Sequence, residues 1–211
     1  QFLMPSQTLY EPKPLPFAKD LVGISKKTME IHHDKLYVGY VKKMKEIAEK
    51  LKAMAESGAG LDSANQVYSD LRALRDGETF ATDAVYLHEY YFNGLGGDGK
   101  PTGPLVDAIV EKWGSFEKFA AFFSATGMAM RGWVVLAWDT HLGRLKIYGC
   151  DSHNQGGVWG CIPLIVLDVY EHAYFIDYGS DRKTYIQDFW KNFNWDAANH
   201  VYEKVTKFSL N

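Results

Sequence analysis

Residues 94 to 104 carry five glycines, at 94, 96, 97, 99 and 103, and two prolines, Pro101 and Pro104. A run so rich in helix and strand breakers admits neither element and marks a junction between two units. We place the boundary between 1–95 and 96–211. Gly99-Lys100 within it is not a phosphate-binding loop. Pro101 stands where a Ser or Thr would hold magnesium, and no strand pattern precedes it.

The two sides differ in period. The opening stretch of about 20 residues, with Pro5, Pro12, Pro14 and Pro16, reads as an extended arm. Ser25 is a candidate N-cap. After it, Met29, His33, Leu36, Tyr40, Met44, Ile47, Leu51 and Met54 recur at spacings of three and four, the stripe of a long amphipathic helix. A Gly-bearing turn near 57–60 follows, then helical patterns around 67–74 and 82–92, so the first unit reads as an antiparallel helical hairpin. Past the junction, 105–112 and 115–128 read as helices, and 132–139, 144–150 and 161–169 as strands, with a tight turn at 141–143. Helical patterns at 182–191 and 195–208 close the chain. Short sequential strands flanked by helices imply a small antiparallel sheet covered by helices, an α+β chain.

Composition excludes several classes. With 46% hydrophobic and 23% charged residues the chain has the balance of a globular protein. A net charge of -3 is the wrong sign for a nucleic-acid binder. The apolar run 161–167 is too short to span a bilayer and contains Pro163. The sequence opens at Gln1, so a removed leader and a trimmed start both fit, and cytoplasmic and exported locations stay open. The two cysteines, Cys150 and Cys161, are too few for a thiolate zinc site. They read as small buried residues, with one disulfide as the alternative.

Chemistry concentrates in the seven histidines. In Asp168-Val169-Tyr170-Glu171-His172 a polar pair interrupts the end of an apolar strand, and Asp168 and His172 can point at one centre. A carboxylate capping the next helix is the competing explanation. His32 shares a face with Leu36 and Tyr40, while its neighbour His33 points about 100° away. His88 lies among Tyr86, Tyr90, Tyr91 and Phe92. One histidine on each arm of a hairpin, joined by Asp168 and His172, supplies three imidazoles and one carboxylate. That donor set suits iron, manganese or zinc.

These residues resemble the iron/manganese superoxide dismutase family from about Leu15 to Val205. The matches are His32-His33-Asp34-Lys35 followed by Tyr40-Val41, His88 in its aromatic helix, Gly132-Trp133, the segment Asp168 to Tyr174, and Asn192-Phe193-Asn194-Trp195. The resemblance implies an N-terminal helical hairpin, a C-terminal α/β domain with a three-stranded antiparallel sheet, and one metal between them. It implies His32, His88, Asp168 and His172 as ligands, with water or hydroxide as the fifth. The substrate is then superoxide, disproportionated to oxygen and hydrogen peroxide. The cofactor is one iron or manganese ion per subunit, iron being slightly favoured. Three neutral imidazoles, a carboxylate and a hydroxide leave a trivalent site at about +1, attractive to an anion. Tyr40 matches the gateway tyrosine, and Lys35 and Arg182 match basic residues that draw the anion inward.

The sequence departs from the family pattern at identifiable places. Where a glutamine usually touches the solvent ligand stands His153, with Gln155 close by; the other usual glutamine position is Ala84. Tryptophans are common at Tyr170 and Phe92, and the Tyr170 hydroxyl needs a partner. A histidine–tyrosine bridge between subunits is replaced by Leu36 and Phe175, expected to meet across a dimer interface. Tyr40 then lacks one arm of its relay, and turnover is expected to fall earlier at high pH. Glu171 matches the glutamate that bonds the partner's ligand histidine, implying a homodimer, or a tetramer. The alternative function is a metal-binding protein of this fold with little turnover. A di-iron reading, from Glu30 and His33, lacks the second such pair.

Overall fold

The computed structural model describes residues 10–208. Residues 1–9 of the expected arm, Pro5 among them, lie outside it; residues 10–25 run without helix or strand. The Ser25 hydroxyl accepts from Thr28 N–H and starts the first helical rod. That rod is α1 (Lys26–Met29), a π-helical stretch (Glu30–Tyr37) and α2 (Val38–Ser57). The sequence reading anticipated a plain α-helix. The π stretch is the difference, and wide turns of this kind gather at functional positions because they shift the phase of the helix face. Here the phase shift buries both histidines: His32 is 0% and His33 8% exposed. Gly58, left-handed at φ 71°, ends α2.

α3 is one helix, Asp70–Asn93, where the pattern had suggested two pieces. Gly77 does not break it. A Cβ there would lie 3.1 Å from Ile47 Cδ1, so this glycine lets α2 and α3 approach. Val67 and Tyr68 are exposed in the preceding loop. The N-terminal arm is clamped onto this hairpin by Glu89, whose carboxylate accepts from the Tyr10 hydroxyl, from Lys13 Nζ at 2.6 Å and from the Tyr37 hydroxyl at 2.8 Å.

After α4 (Pro104–Trp113) and α5 (Phe116–Ala129) come β1 (Trp133–Asp139), β2 (Arg144–Cys150) and β3 (Cys161–Asp168). They form an antiparallel sheet in the order β2-β1-β3. Trp133 stands opposite both Cys150 and Asp168, which seats an indole beside a candidate ligand. The register shifts between Leu136 and Ala137, where Pro163, which has no N–H to give, is accommodated at an irregularity in an edge strand. Val134 faces α5, while Val135 and Ala137 face α3. A 3-10 turn (Glu171–Ala173), α6 (Phe175–Tyr178), α7 (Arg182–Lys191) and α8 (Trp195–Val205) complete the chain.

The glycine-rich junction is a packed seam. Gly97 N–H donates to Asn192 C=O at 2.9 Å and Gly99 N–H to Phe193 C=O at 3.1 Å. Asn199 accepts from Leu105 N–H and donates to Thr102 C=O. Its glycines serve close backbone approach: a Cβ on Gly97 would lie 2.5 Å from Asn194 Cα and nearer still to the Phe193 carbonyl oxygen.

The cysteines are unpaired. Cys150 is opposite Trp133 and Cys161 opposite Asp139, the two ends of β1. Six residues of strand separate them by about 20 Å, far beyond disulfide reach.

Candidate metal centre

Four side chains from four elements converge. His32 comes from the π stretch and His88 from α3, while Asp168 ends β3 and His172 follows in the 3-10 turn. Their ligand atoms all lie within 4.8 Å of one another. Ligand bonds of about 2.0–2.2 Å put two donors of a common ion at most about 4.4 Å apart, so the four atoms stand close to the spacing a bound ion requires. His32 Nε2 and His172 Nε2 are each 3.0 Å from Asp168 Oδ2, and His88 Nε2 is 3.7 Å from it.

Hydrogen bonding fixes which atoms face the centre. His88 Nδ1–H donates to the Ala84 carbonyl at 2.6 Å, which leaves Nε2 as the bare lone pair. That Nε2 is buried without a hydrogen-bond partner, as is His32 Nδ1. A buried lone pair aimed at a carboxylate is unfavourable unless a cation lies between them. The donor set, the spread and this orphaned nitrogen fit one metal ion. Asp168 Oδ1 is occupied by Tyr170 N–H at 2.9 Å, and the Asp168 carbonyl by the Tyr185 hydroxyl at 2.8 Å. Tyr185 also meets the Tyr91 hydroxyl at 3.1 Å.

Protonation favours ligation. Burial lowers His32, and it lowers His88 well below the ordinary value, with His32 adding to the effect, so both are neutral imidazoles at neutral pH. Burial works against the Asp168 charge, but the His172 and His32 contacts outweigh it and hold the carboxyl ionised. Burial likewise lowers His172, and the Asp168 carboxylate more than reverses that. A metal ion needs the imidazoles deprotonated and would take over this partnership with Asp168.

Beside the four ligands runs a second set. Trp133 Nε1–H donates to His153 Nδ1 at 3.1 Å, and His153 Nε2 lies 3.0 Å from the Tyr40 hydroxyl. An indole nitrogen only donates, so His153 Nδ1 accepts. Burial pushes His153 down to about 4, leaving it neutral with its proton on Nε2, and Tyr40 receives that proton's hydrogen bond. The Tyr40 hydroxyl hydrogen is then free for another acceptor. Trp133, singled out in the sequence only as a family match, sets the direction of this chain; no spacing rule joins residues 133 and 153.

The remaining positions divide. Tyr170 stacks on His172 with ring centres 5.2 Å apart, and the backbone of His153 meets its hydroxyl. Burial, then Asp168, push its phenol up to about 12. Phe92 packs edge-on against His32 at 5.3 Å. Ala84 is fully buried and gives only its carbonyl to the centre. Lys35 is exposed and lines a groove with Leu36 and Tyr40. Arg182 is not a free surface cation: it donates to Tyr174 Oη at 3.1 Å and to the Met130 carbonyl at 2.7 Å, with no carboxylate partner among the described residues. Burial, then Asp168, raise the Tyr40 phenol, which runs against an early loss of turnover at high pH. Gln155 sits in a bridge with Ser152.

Comparison with known proteins agrees over nearly the full length. Residues 9–96 match the family model for the alpha-hairpin domain of iron/manganese superoxide dismutases, and residues 101–201 match the model for their C-terminal domain. A superoxide dismutase [Fe] of Aquifex pyrophilus is 44% identical over 199 residues, 93% of this chain and 92% of its own. One from Aquifex aeolicus is 44% identical over 191 residues, 90% and 89% of the two chains. A superoxide dismutase [Mn] of Halobacterium salinarum is 33% identical over 203 residues, 94% and 97%.

Proposed function

The chain belongs to the iron/manganese superoxide dismutase family and is a superoxide dismutase, and from that premise we propose which of its residues run the reaction. His32, His88, Asp168 and His172 hold one iron or manganese ion, two ligands from each side of the 95/96 boundary. The observation that carries this reading is the convergence of those four donors on one buried point, with the His88 lone pair unpartnered. When bound, the ion supplies the one-electron chemistry, accepting an electron from one superoxide and giving one to the next. We take iron first, since both relatives at 44% identity carry iron in their names.

The protein's own part is protons and position. Forming hydrogen peroxide from superoxide takes two protons. Tyr40 is the side chain able to present one, because the Trp133–His153 chain leaves its hydroxyl hydrogen uncommitted. Tyr170, stacked on His172, fixes that ring and keeps water from its face. Lys35 and Arg182 guide the anion. Arg182 adds a second task, tying the end of α5 to Tyr174.

The working form is a homodimer, or a tetramer built from it. The His172 side chain is 27% exposed, and no described residue bonds its Nδ1. Glu171 of a second copy supplies the acceptor, and Glu171 is exposed here. Phe175 at 55% and Ile176 at 46% exposure give the same surface an apolar centre, where Phe175 meets Leu36 of the other copy. No helix among the described residues is long and apolar enough to cross a membrane.

The test is the rate of superoxide disproportionation on protein loaded separately with iron and with manganese, normalised to bound metal. Fast turnover with iron is the expected result. Negligible turnover with both metals at full occupancy would overturn the reading.

A further inference from the structure

A cavity of about 460 Å³ lies between α3 and the face of the sheet turned toward it, lined by His153 and by none of the four ligands. That is a volume typical of small-molecule sites. One face of α3 forms a wall: Thr79, Asp83, Tyr86, Leu87 and Tyr90 recur at helical spacing. Val135, Ala137, Tyr148 and Pro163 of the sheet stand opposite, and Trp159 of the β2–β3 connection forms the rim.

Several polar groups around this space are satisfied. The Tyr148 hydroxyl pairs with Cys161 Sγ at 3.4 Å, and Asn154 Nδ2 donates to Thr79 Oγ1 at 3.0 Å. Both ring nitrogens of His153 are engaged. Asp83 is the unpaired charge. It has no hydrogen bond or ion pair to any described residue, and no lysine or arginine lines the cavity. Burial raises its pKa, as expected of a carboxylate taken partly out of water without a partner. At the rim, Trp159 is 94% and Tyr86 47% exposed, so aromatic faces stand uncovered within the same wall.

We propose that this cavity binds a small organic cation, an amine carrying an apolar or aromatic body, with its ammonium on Asp83 and its body against Tyr86 and Trp159. An unpaired carboxylate in an aromatic enclosure is complementary to a weakly hydrated cation, through a charge-assisted hydrogen bond and cation–π contact. None of the four candidate metal ligands lines this cavity, and its one carboxylate is the wrong sign for superoxide. The proposal does not depend on the metal chemistry.

The test is calorimetric titration of the metal-loaded protein with phenethylammonium and with its neutral counterpart 2-phenylethanol. Three proteins are compared: the parent, Asp83→Asn and Trp159→Ala. The expected result is saturable binding of one phenethylammonium per chain, weakened about tenfold or more by Asp83→Asn. 2-Phenylethanol binds the parent more weakly and is indifferent to Asp83→Asn. Trp159→Ala weakens both. Dismutase turnover of Asp83→Asn stays at the parent's level, which shows that the variant is folded. No saturable binding up to the solubility limit, or equal affinity for parent and Asp83→Asn, overturns the proposal. So does sedimentation showing that Trp159→Ala breaks up an oligomer while the parent takes no phenethylammonium; a second copy then fills the cavity.

Discussion

Gly97→Ala tests whether the two halves of the metal centre are held together by a packed seam. The added Cβ would start 2.5 Å from Asn194 Cα and nearer to the Phe193 carbonyl oxygen, and ordinary contact begins at 3.4 Å, so the backbones must part by at least about 0.9 Å. That carries the Gly97 N–H···O=C Asn192 bond from 2.9 Å beyond hydrogen-bond range and strains the 3.1 Å bond from Gly99 to Phe193 beside it. Asn192 and Phe193 are each 1% exposed, so water does not readily replace the lost donors. Two buried carbonyls losing their partners cost about 2–4 kcal/mol, and the entropy that alanine removes from the unfolded chain returns about 0.4–1 kcal/mol. The net loss is about 2–3 kcal/mol, a Tm lower by about 4–12 °C. The assay is urea denaturation of apo protein, so that metal binding does not mask the change. Gly39→Ala is the control: it sits inside α2 with no atom within 4 Å of the new methyl, and it stabilises by about 1 kcal/mol. Because this seam fastens the segment that leads out of α3, the helix of His88, onto the unit that carries Asp168 and His172, Gly97→Ala also lowers metal retention. A Gly97→Ala protein within about 0.5 kcal/mol of the parent, the uncertainty of additive bookkeeping, refutes the reasoning.

Other outcomes follow from the same geometry. His153→Ala keeps its metal but loses about 10–100-fold in turnover, and His153→Gln, which keeps a donor for Tyr40, recovers part of it; stopped-flow superoxide decay with metal analysis measures both. Asp168→Ala reduces bound iron or manganese to background, and calorimetry then finds a melting temperature below that of the chelated parent, because the alanine also strands His172 and Tyr170 N–H. Asp177 accepts from Ser25 N–H and the Thr28 hydroxyl; burial opposes its charge, but those bonds outweigh it and depress its pKa. A depressed carboxylate stabilises above its unfolded value of about 3.9 and loses that contribution as pH falls through the folded value. The stability gap between the parent and Asp177→Asn, partly screened and about 0.5–1 kcal/mol at pH 7, therefore closes below about pH 4 in parallel urea titrations. Cys150 is buried with its thiol pushed up to about 11 and Cys161 is unpaired, so reductant leaves Tm unchanged, and alkylation after denaturation without reductant adds two adducts.

What the sequence made legible was whatever is local and periodic. Ser25 announced its cap, β2 was read to the residue, and the stripe from Met29 to Met54 gave the long helical rod. The π stretch escaped because widening one turn leaves the stripe in place and changes only which neighbours are buried. Adjacent histidines looked as though they must diverge, yet His33 is buried too, its Nε2 2.7 Å from the Lys13 carbonyl of the arm. Glycine was legible as a breaker but not as a spacer. Gly77 lies in the gap between two helical patterns and Gly97 reads as linker, because the partner that makes each glycine necessary, Ile47 or the 193–194 backbone, is distant in sequence.

The site divides along the same line. The four donors that converge could be named from residue types and resemblance, since a metal demands particular donors. The direction of the hydrogen bonds around them could not, because direction depends on the chemistry of a remote partner. If residue 133 were an acceptor in place of an indole, His153 would carry its proton on Nδ1 and take one from Tyr40 at Nε2. Tyr40 would then point its hydrogen away from the centre, with every ligand unchanged. Ligand identity therefore decides whether this chain can hold the metal. Trp133, four residues beyond the end of α5 and opposite Asp168 across the sheet, decides which way the His153–Tyr40 hydrogen bond runs.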